Sequence, residues 1–282
     1  MTTQASLIRA IEKIRNAGLD SATLDAEVLL ASVLKTTRAV LLAHPERKLT
    51  DPQQQQFTVL IRKRIRRVPV AYLTGVKEFY GQEFTVTPGV LIPRPDTELL
   101  VEAALDATRK LQRIRGRDQI TLADVGTGSG CIAVTLAKFL PASRIIATDI
   151  SGVALAVAAK NARQHKVASR ITFLQGNLTK PLQRYAPLDI IVANLPYLTP
   201  DESKQVPHEP RLALNGGKLG LEPIDRLIRE SPALLAPDGI ILLEIAPAQT
   251  KGIDYLVESK LPGKRVTFTQ DLSGRDRVAK IV

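Results

Sequence analysis

From Pro95 onward the chain alternates short apolar runs with segments of helical period, and this alternation constrains the fold more than any other feature. The runs lie at residues 120–125, 144–149, 171–174, 188–193, 239–245, 264–268 and 277–282. Most of them, 120–125, 188–193 and 239–245 above all, are apolar at nearly every position rather than at every second one, as in strands buried on both faces. Helical segments are read at 96–114, 131–140 and 223–235, with a further helix capped by Ser151. Strands separated by helices imply an α/β fold with a parallel sheet covered on both sides. With 282 residues, 44% of them hydrophobic, the chain can fill such a core and is not disordered.

The first ~75 residues read differently, as helices with short connections. Residues 6–17 form a helix stopped by Gly18. Ser21 caps a second helix with Leu24, Val28, Leu29 and Ala31 on one side. A third follows Thr37 and stops near His44, and Asp51 caps a fourth with Pro52 at its first position. Between 76 and 93 the period changes to strand formers around Gly81 and Pro88-Gly89, which predicts a β-hairpin or two short strands. The expected organisation is a helical domain at 1–75, a hairpin linker at 76–93 and an α/β domain at 94–282.

One cysteine excludes a disulfide framework or multi-cysteine metal site, and three scattered histidines argue against a histidine centre, so no metal is expected. No apolar run approaches membrane-spanning length and no secretory leader is evident, so a cytoplasmic location is expected. Lys and Arg number 39 against 28 Asp and Glu, a net charge of +11 that favours an acidic partner or a polyanion. The densest basic cluster is Arg62-Lys-Arg64-Ile-Arg66-Arg67, read as the face opposite Phe57, Leu60, Ile61, Ile65 and Val68. It suits either an ordinary solvated face or a contact surface.

The first strand runs into Asp124-Val-Gly126-Thr127-Gly128-Ser129-Gly130, which opens a helix. Glycines permit a tight turn and close approach of a ligand to the main chain. Asp149 ends the next strand, nineteen residues after Gly130, where a carboxylate would accept hydrogen bonds from a ribose diol. A dinucleotide fingerprint places its third glycine five positions after the first, whereas here the interval is four. The spacing resembles the Asp/Glu-x-Gly-x-Gly-x-Gly turn of S-adenosylmethionine-dependent methyltransferases. A nicotinamide enzyme and a plain tight turn are the weaker alternatives.

Asn194-Leu195-Pro196-Tyr197 follows the strand 188–193, beyond whose carboxyl end a doubly wound sheet binds its ligands. An amide or exocyclic amine nitrogen is a poor nucleophile because its lone pair is delocalised. The Asn194 oxygen and a main-chain carbonyl of the Leu195-Pro196 turn could each accept one N–H and aim that lone pair, while Tyr197 packs on the planar group. The tetrapeptide resembles the Asn-Pro-Pro-Tyr motif of amino-methyltransferases, with Leu195 in place of the first proline. That form also occurs in adenine dimethyltransferases acting on ribosomal RNA, so the motif alone does not choose a substrate.

Other segments do. Leu91-Ile-Pro-Arg94-Pro-Asp-Thr-Glu98, preceded by Glu78-Phe-Tyr-Gly81, and Glu209-Pro-Arg-Leu-Ala-Leu-Asn-Gly-Gly217 resemble signatures of the peptide chain release factor glutamine methyltransferases. The helical region, hairpin and α/β domain are similar to that family's whole architecture. Lys218-Leu219 departs from the acidic residue usual before Gly220. The resemblance implies a class I methyltransferase fold, doubly wound around a mostly parallel seven-stranded sheet. It implies S-adenosylmethionine as methyl donor and the glutamine amide of the Gly-Gly-Gln motif in class I release factors as acceptor.

By position it assigns Gly126, Thr127, Gly128, Ser129, Gly130, Asp149, Leu178 and Asn194 to the cofactor, Leu178 against the adenine. It assigns Asn194, Leu195, Pro196 and Tyr197 to the acceptor, with Asn194, Pro196 and Tyr197 taken as catalytic, and Arg94 and Glu98 as candidates for the acceptor pocket. A monomer is expected, without membrane association or direct nucleic-acid binding. An RNA adenine methyltransferase is the alternative reading, and it would show binding with a steep salt dependence.

Overall fold

Five helices make the N-terminal unit: α1 (Thr3–Asn16), α2 (Ala22–Leu34), α3 (Arg38–Ala43), α4 (Asp51–Ile65) and α5 (Val70–Thr74). The computed structural model describes all residues, Met1–Val282, and divides into two units, Met1–Val76 and Lys77–Val282. Leu7, Ala10 and Ile14 of α1, Leu29 and Leu30 of α2, and Phe57 and Ile61 of α4 share one core, as the three- and four-residue spacings require.

Three local expectations are corrected. Ser21 does not cap α2; its hydroxyl turns to the Asp25 carboxylate at 2.9 Å. The cap of α4 is Thr50, one residue before Asp51. Its extended backbone lets the hydroxyl accept from Gln53 while the Gln53 side chain answers its own N–H. Arg64 is not part of a solvated face. Its Nε stands 2.7 Å from Asp25 Oδ2 with both side chains largely buried, while Ile65, expected on the apolar face, is partly exposed.

Strands β1 (Val76–Phe79), which starts at the last residue of the first unit, and β2 (Gln82–Thr85) pair as a two-stranded sheet. Tyr80 and Gly81 between them both have positive φ, 52° and 65°, the requirement of the tight hairpin turn that matches strand twist. Phe79 and Phe84 are fully buried in the core that also holds Leu100, Leu122 and Leu136. Val90–Ile92, read as strand-forming, is not a strand.

The main sheet comprises β3 (Thr121–Val125), β4 (Arg144–Asp149), β5 (Ile171–Gln175), β6 (Leu188–Ala193), β7 (Leu235–Glu244), β8 (Val266–Gln270) and β9 (Asp276–Ile281). Its helices are α6 (Thr97–Arg115), α7 (Cys131–Phe139), α8 (Gly152–Gln164), α9 (Pro200–Ser203), α10 (Glu222–Glu230) and α11 (Thr250–Lys260). The spatial order is β5-β4-β3-β6-β7-β9-β8. The pairs from β5 to β7 are parallel, and β9 runs antiparallel to both neighbours. This is the expected class I methyltransferase sheet of seven strands. Helix α10 stops short of the expected 235 because Pro232 lies in a 3-10 turn, and β7 begins four residues early.

The chain steps outward from β3 through β4 to β5, then returns to lay β6 on the other side of β3. Val125 pairs with Thr148 on one side and Ala193 on the other. The loops after β3, β4 and β6 therefore leave the sheet at the same edge, at the switch point where such sheets bind ligands.

Candidate active site

The loop after β3 is built by its own glycines. Gly126, Gly128 and Gly130 have φ of 79°, 56° and 80°, the left-handed region open to residues without a Cβ. The N–H groups of Gly126 and Thr127 both donate to the Thr148 carbonyl, at 2.8 and 2.9 Å. Beneath the loop, Asp124 Oδ2 accepts from the Thr127 hydroxyl at 2.6 Å and from the Ala133 N–H at 3.1 Å. Burial pushes the Asp124 carboxyl up to about 7 against those two donors. Its Oδ1 is buried without a hydrogen-bond partner.

The loop borders a cleft of about 460 Å³ whose lining includes Gly126, Gly128, Asp149, Leu178, Asn194 and Pro196. Leu195 also lines it, by a side chain that is itself buried. Thr127 and Ser129 are buried and, with Gly130, do not line the cleft. They shape the loop: a Cβ on Gly130 would stand 2.8 Å from the Ala158 methyl of α8, and the Ser129 carbonyl accepts from Asn161 at 2.8 Å. Asp149 Oδ2 accepts from the Gly128 N–H at 2.9 Å and Oδ1 from Ser151 at 2.8 Å. Each carboxylate oxygen has two lone pairs, so one remains on each for a hydroxyl. Leu178 takes a left-handed backbone, φ 51°, uncommon outside glycine.

The loop after β6 is held by distant segments. Asn194 Nδ2 donates to the Thr97 hydroxyl at the start of α6, 3.1 Å away. The Leu198 N–H donates to Leu214, and the Gly216 N–H to Leu198. A Cβ on Gly216 would stand 2.6 Å from the Pro196 carbonyl, and one on Gly220 would collide with the Tyr197 carbonyl. The Gly220 carbonyl accepts from Gln249 Nε2 at 2.6 Å, and Gln249 Oε1 accepts from the Ala246 N–H. The two loops meet where Gly126 faces the Leu195 side chain, 3.3 Å from where a Cβ would be.

Tyr197 is placed beside the cleft rather than in its lining. Burial, reinforced by the Glu244 charge, pushes its hydroxyl up to about 12, so it stays protonated at neutral pH. Arg94 and Glu98 do not line the cleft. Arg94 pairs with Glu209, whose Oε2 accepts from the Ile92 N–H, and Glu98 accepts from the Tyr80 N–H at 2.8 Å. Leu219 is largely exposed.

Thr97, Glu209, Glu244 and Gln249 were missed at the level of sequence. Glu244 had an available signal, a lone acid ending the otherwise apolar run 240–243. Thr97 and Glu209 lie inside the two segments that carry the resemblance, but nothing there marks their partners, which are 97 and more than a hundred residues away, and Gln249 stands in no chemical pattern.

The chain is similar to several known proteins. The family model described as the PrmC N-terminal domain matches residues 6–75, and that of ribosomal protein L11 methyltransferase (PrmA) matches 97–200. A release factor glutamine methyltransferase of Moorella thermoacetica is 41% identical over 98% of this chain and 97% of its own. One from Coxiella burnetii is 40% identical over 90% of each. Among solved structures, ribosomal protein L11 methylase from Lactobacillus delbrueckii subsp. bulgaricus superposes with a TM-score of 0.50. It is 22% identical and covers 73% of this chain and 88% of its own. The hMettl16 catalytic domain in complex with MAT2A 3'UTR hairpin 6 gives 0.56 at 16% identity, over 82% and 81%. At these identities the two structures show the shared fold.

Proposed function

This chain belongs to the release factor glutamine methyltransferase family, and on that premise we infer that it transfers a methyl group from S-adenosylmethionine to the glutamine side-chain amide of the Gly-Gly-Gln motif in bacterial class I release factors. The observation that carries the reading is the meeting of two loops at one cleft. A glycine turn shaped for close main-chain approach touches a segment whose Asn194 amide nitrogen is already engaged by Thr97.

The cleft fits the donor. Asp149 has lone pairs to spare for the ribose diol, and Leu178 offers an apolar surface for adenine. The left-handed glycines leave room for the amino-acid end, and the Asp149 carboxylate in the lining favours a cationic ligand. When bound, S-adenosylmethionine supplies an electrophilic methyl group on a sulfonium, so the reaction in this reading calls for no metal.

What remains for the protein is orientation. A glutamine amide has a delocalised lone pair and two N–H groups. Asn194 Oδ1 and a main-chain carbonyl of the Leu195-Pro196 turn accept hydrogen bonds from those two N–H groups and so direct the nitrogen along the line of transfer, and one of the two protons passes to solvent once the nitrogen carries the methyl group. Tyr197, protonated at neutral pH, supports the loop as a neutral ring rather than as a base. Leu195 takes the place of the motif's first proline by burying its side chain against Gly126. The helical unit 1–76 is assigned to gripping the release factor.

Mass spectrometry of a purified release factor incubated with the protein and S-adenosylmethionine tests the reading. The expected result is a gain of one CH2 on the Gly-Gly-Gln glutamine. An unmodified glutamine under conditions where cofactor binds would overturn it, and methylated RNA instead would favour the adenine alternative.

A further inference from the structure

Behind Asn194 lies a short chain of buried polar groups that the transfer does not itself use. Thr97, the first residue of α6, is 2% exposed, and Glu244, the last residue of β7, is equally buried. The Thr97 hydroxyl accepts from Asn194 Nδ2 at 3.1 Å, which leaves its one proton to turn towards the neighbouring Glu244 carboxyl, an interaction that opposes the rise burial gives to that group. Glu244 Oε2 has no hydrogen-bond partner, so Thr97 is the hydroxyl this carboxylate relies on. The three residues come from α6, β7 and the loop after β6, and the first and last are 147 positions apart.

A hydroxyl has one proton to give. We propose that Glu244 and Thr97 are positioning residues for methyl transfer: Glu244 takes the single Thr97 proton, so the Thr97 oxygen can only receive a hydrogen, and the Asn194 side chain must present Nδ2 to Thr97 and Oδ1 to the acceptor. An asparagine amide can turn over at little cost, because its two ends are nearly the same size. Turned the other way it would offer N–H groups to the substrate amide, which needs an acceptor there. When Glu244 is ionised it can only accept, and one orientation wins, since a charged acceptor holds a hydroxyl proton more strongly than a neutral one. This rests on the assignment of Asn194 to the acceptor, and the experiment separates the two.

Thr97→Val keeps the shape of the side chain and removes the hydroxyl. With purified release factor and S-adenosylmethionine, its kcat should fall about tenfold to fiftyfold, the cost of a lost orientation rather than a lost ligand. Cofactor affinity by calorimetry should stay within about twofold, because Asp149 and the glycine loop are untouched. Thr97→Ser should recover most of the rate. Glu244→Gln still accepts the Thr97 proton but adds a competing donor, and should lose about threefold to tenfold.

The deciding measurement is a double-mutant cycle. In an Asn194→Ala background Thr97→Val should cost nothing further, because no amide is left to orient. If Thr97→Val slows that background as much as it slows the parent, Thr97 acts on the fold and the proposal is overturned. Parental rates for both Thr97→Val and Glu244→Gln, with Asn194→Ala severely slowed, would overturn the relay while leaving Asn194 at the acceptor. A parental rate for Asn194→Ala would remove the reading beneath it. Should Thr97→Val not fold, the same cycle run with Glu244→Gln in its place separates these outcomes.

Discussion

The loop after β3 and the loop after β6 meet at one cleft but are made in opposite ways. The first is local: three left-handed glycines, a threonine bonded to an aspartate three residues back, and main-chain bonds to the adjacent strand. The second takes its shape from elsewhere, from Thr97 on α6, the glycines at 216 and 220, and Gln249 before α11. The contrast suits the tasks proposed for them. A cofactor can be met by main chain, which any strand–turn–helix supplies, whereas a poor nucleophile must be aimed by side chains held rigidly from several sides.

The sharpest way to break this contrast is Asn194→Ala. Loss of one positioning acceptor typically lowers kcat by about 10²–10³, and cofactor affinity should hardly move. Single-turnover methylation beside a cofactor titration measures both, and a rate near that of the parent would leave the β6 loop a mere braced turn. Asn194→Asp keeps an acceptor and should retain part of the rate.

Asp149→Ala probes the other half. Losing bonds to the ribose, worth roughly 1.5–3 kcal/mol each when charge-assisted, should weaken cofactor binding by tenfold or more, while kcat at saturating cofactor falls less. Calorimetry reads this directly. Affinity within twofold of the parent would take Asp149 out of the cofactor site, and equal losses in binding and turnover for both variants would erase the division of labour between the loops.

A third test uses pH. Burial pushes Glu244 up from 4.5 to about 7, with Asp96 adding to the rise and Arg277, Arg94 and the Thr97 bond opposing it. An acid that ionises later in the folded state than in the unfolded one stabilises the fold on the acid side of its window. Its contribution is full below about 4.5 and is lost as pH rises to about 7. Glu244→Gln removes this titration, so the difference in stability between variant and parent should shift in the variant's favour between pH 5 and 8, by up to about 3 kcal/mol. Denaturant melts across that range measure it; a difference independent of pH would show Glu244 ionised throughout.

The smallest effect is expected on the helical unit. Reversing Arg62 and Arg66 together should slow methylation of intact release factor a few-fold, and that of a short Gly-Gly-Gln peptide not at all, since steering acts on association with a large charged partner. Equal rates for parent and variant on both substrates would make this face ordinary solvated surface. Arg64 is excluded from the set, because reversing it would set two carboxylates together in a largely buried site.

Asp124 to Gly130 could be read from the chain alone because most of the groups that shape that loop lie within a few residues or on the adjoining strand, with Ala158 and Asn161 of α8 bracing its far end. The sheet was legible for a similar reason: runs such as 188–193 are apolar at almost every position, and only a strand covered on both faces buries them all. Local competition was harder to foresee. Ser21 had the composition of a cap, yet a carboxylate four residues on competed successfully with the backbone for its hydroxyl; Arg64 sat in a basic run, yet Asp25, thirty-nine positions earlier, drew it inward.

By itself, then, the sequence determined the alternation that makes the sheet, the glycine turn after β3 and the tetrapeptide after β6, since each is encoded by neighbours along the chain. Only the tertiary structure decided which way the Asn194 amide turns, why 216 and 220 must be glycine, and that Arg94 serves Glu209 rather than the cleft. Those outcomes depend on groups that are distant in sequence and become neighbours only once the strands have packed, when a single proton or a missing Cβ selects between arrangements that the chain alone leaves equivalent.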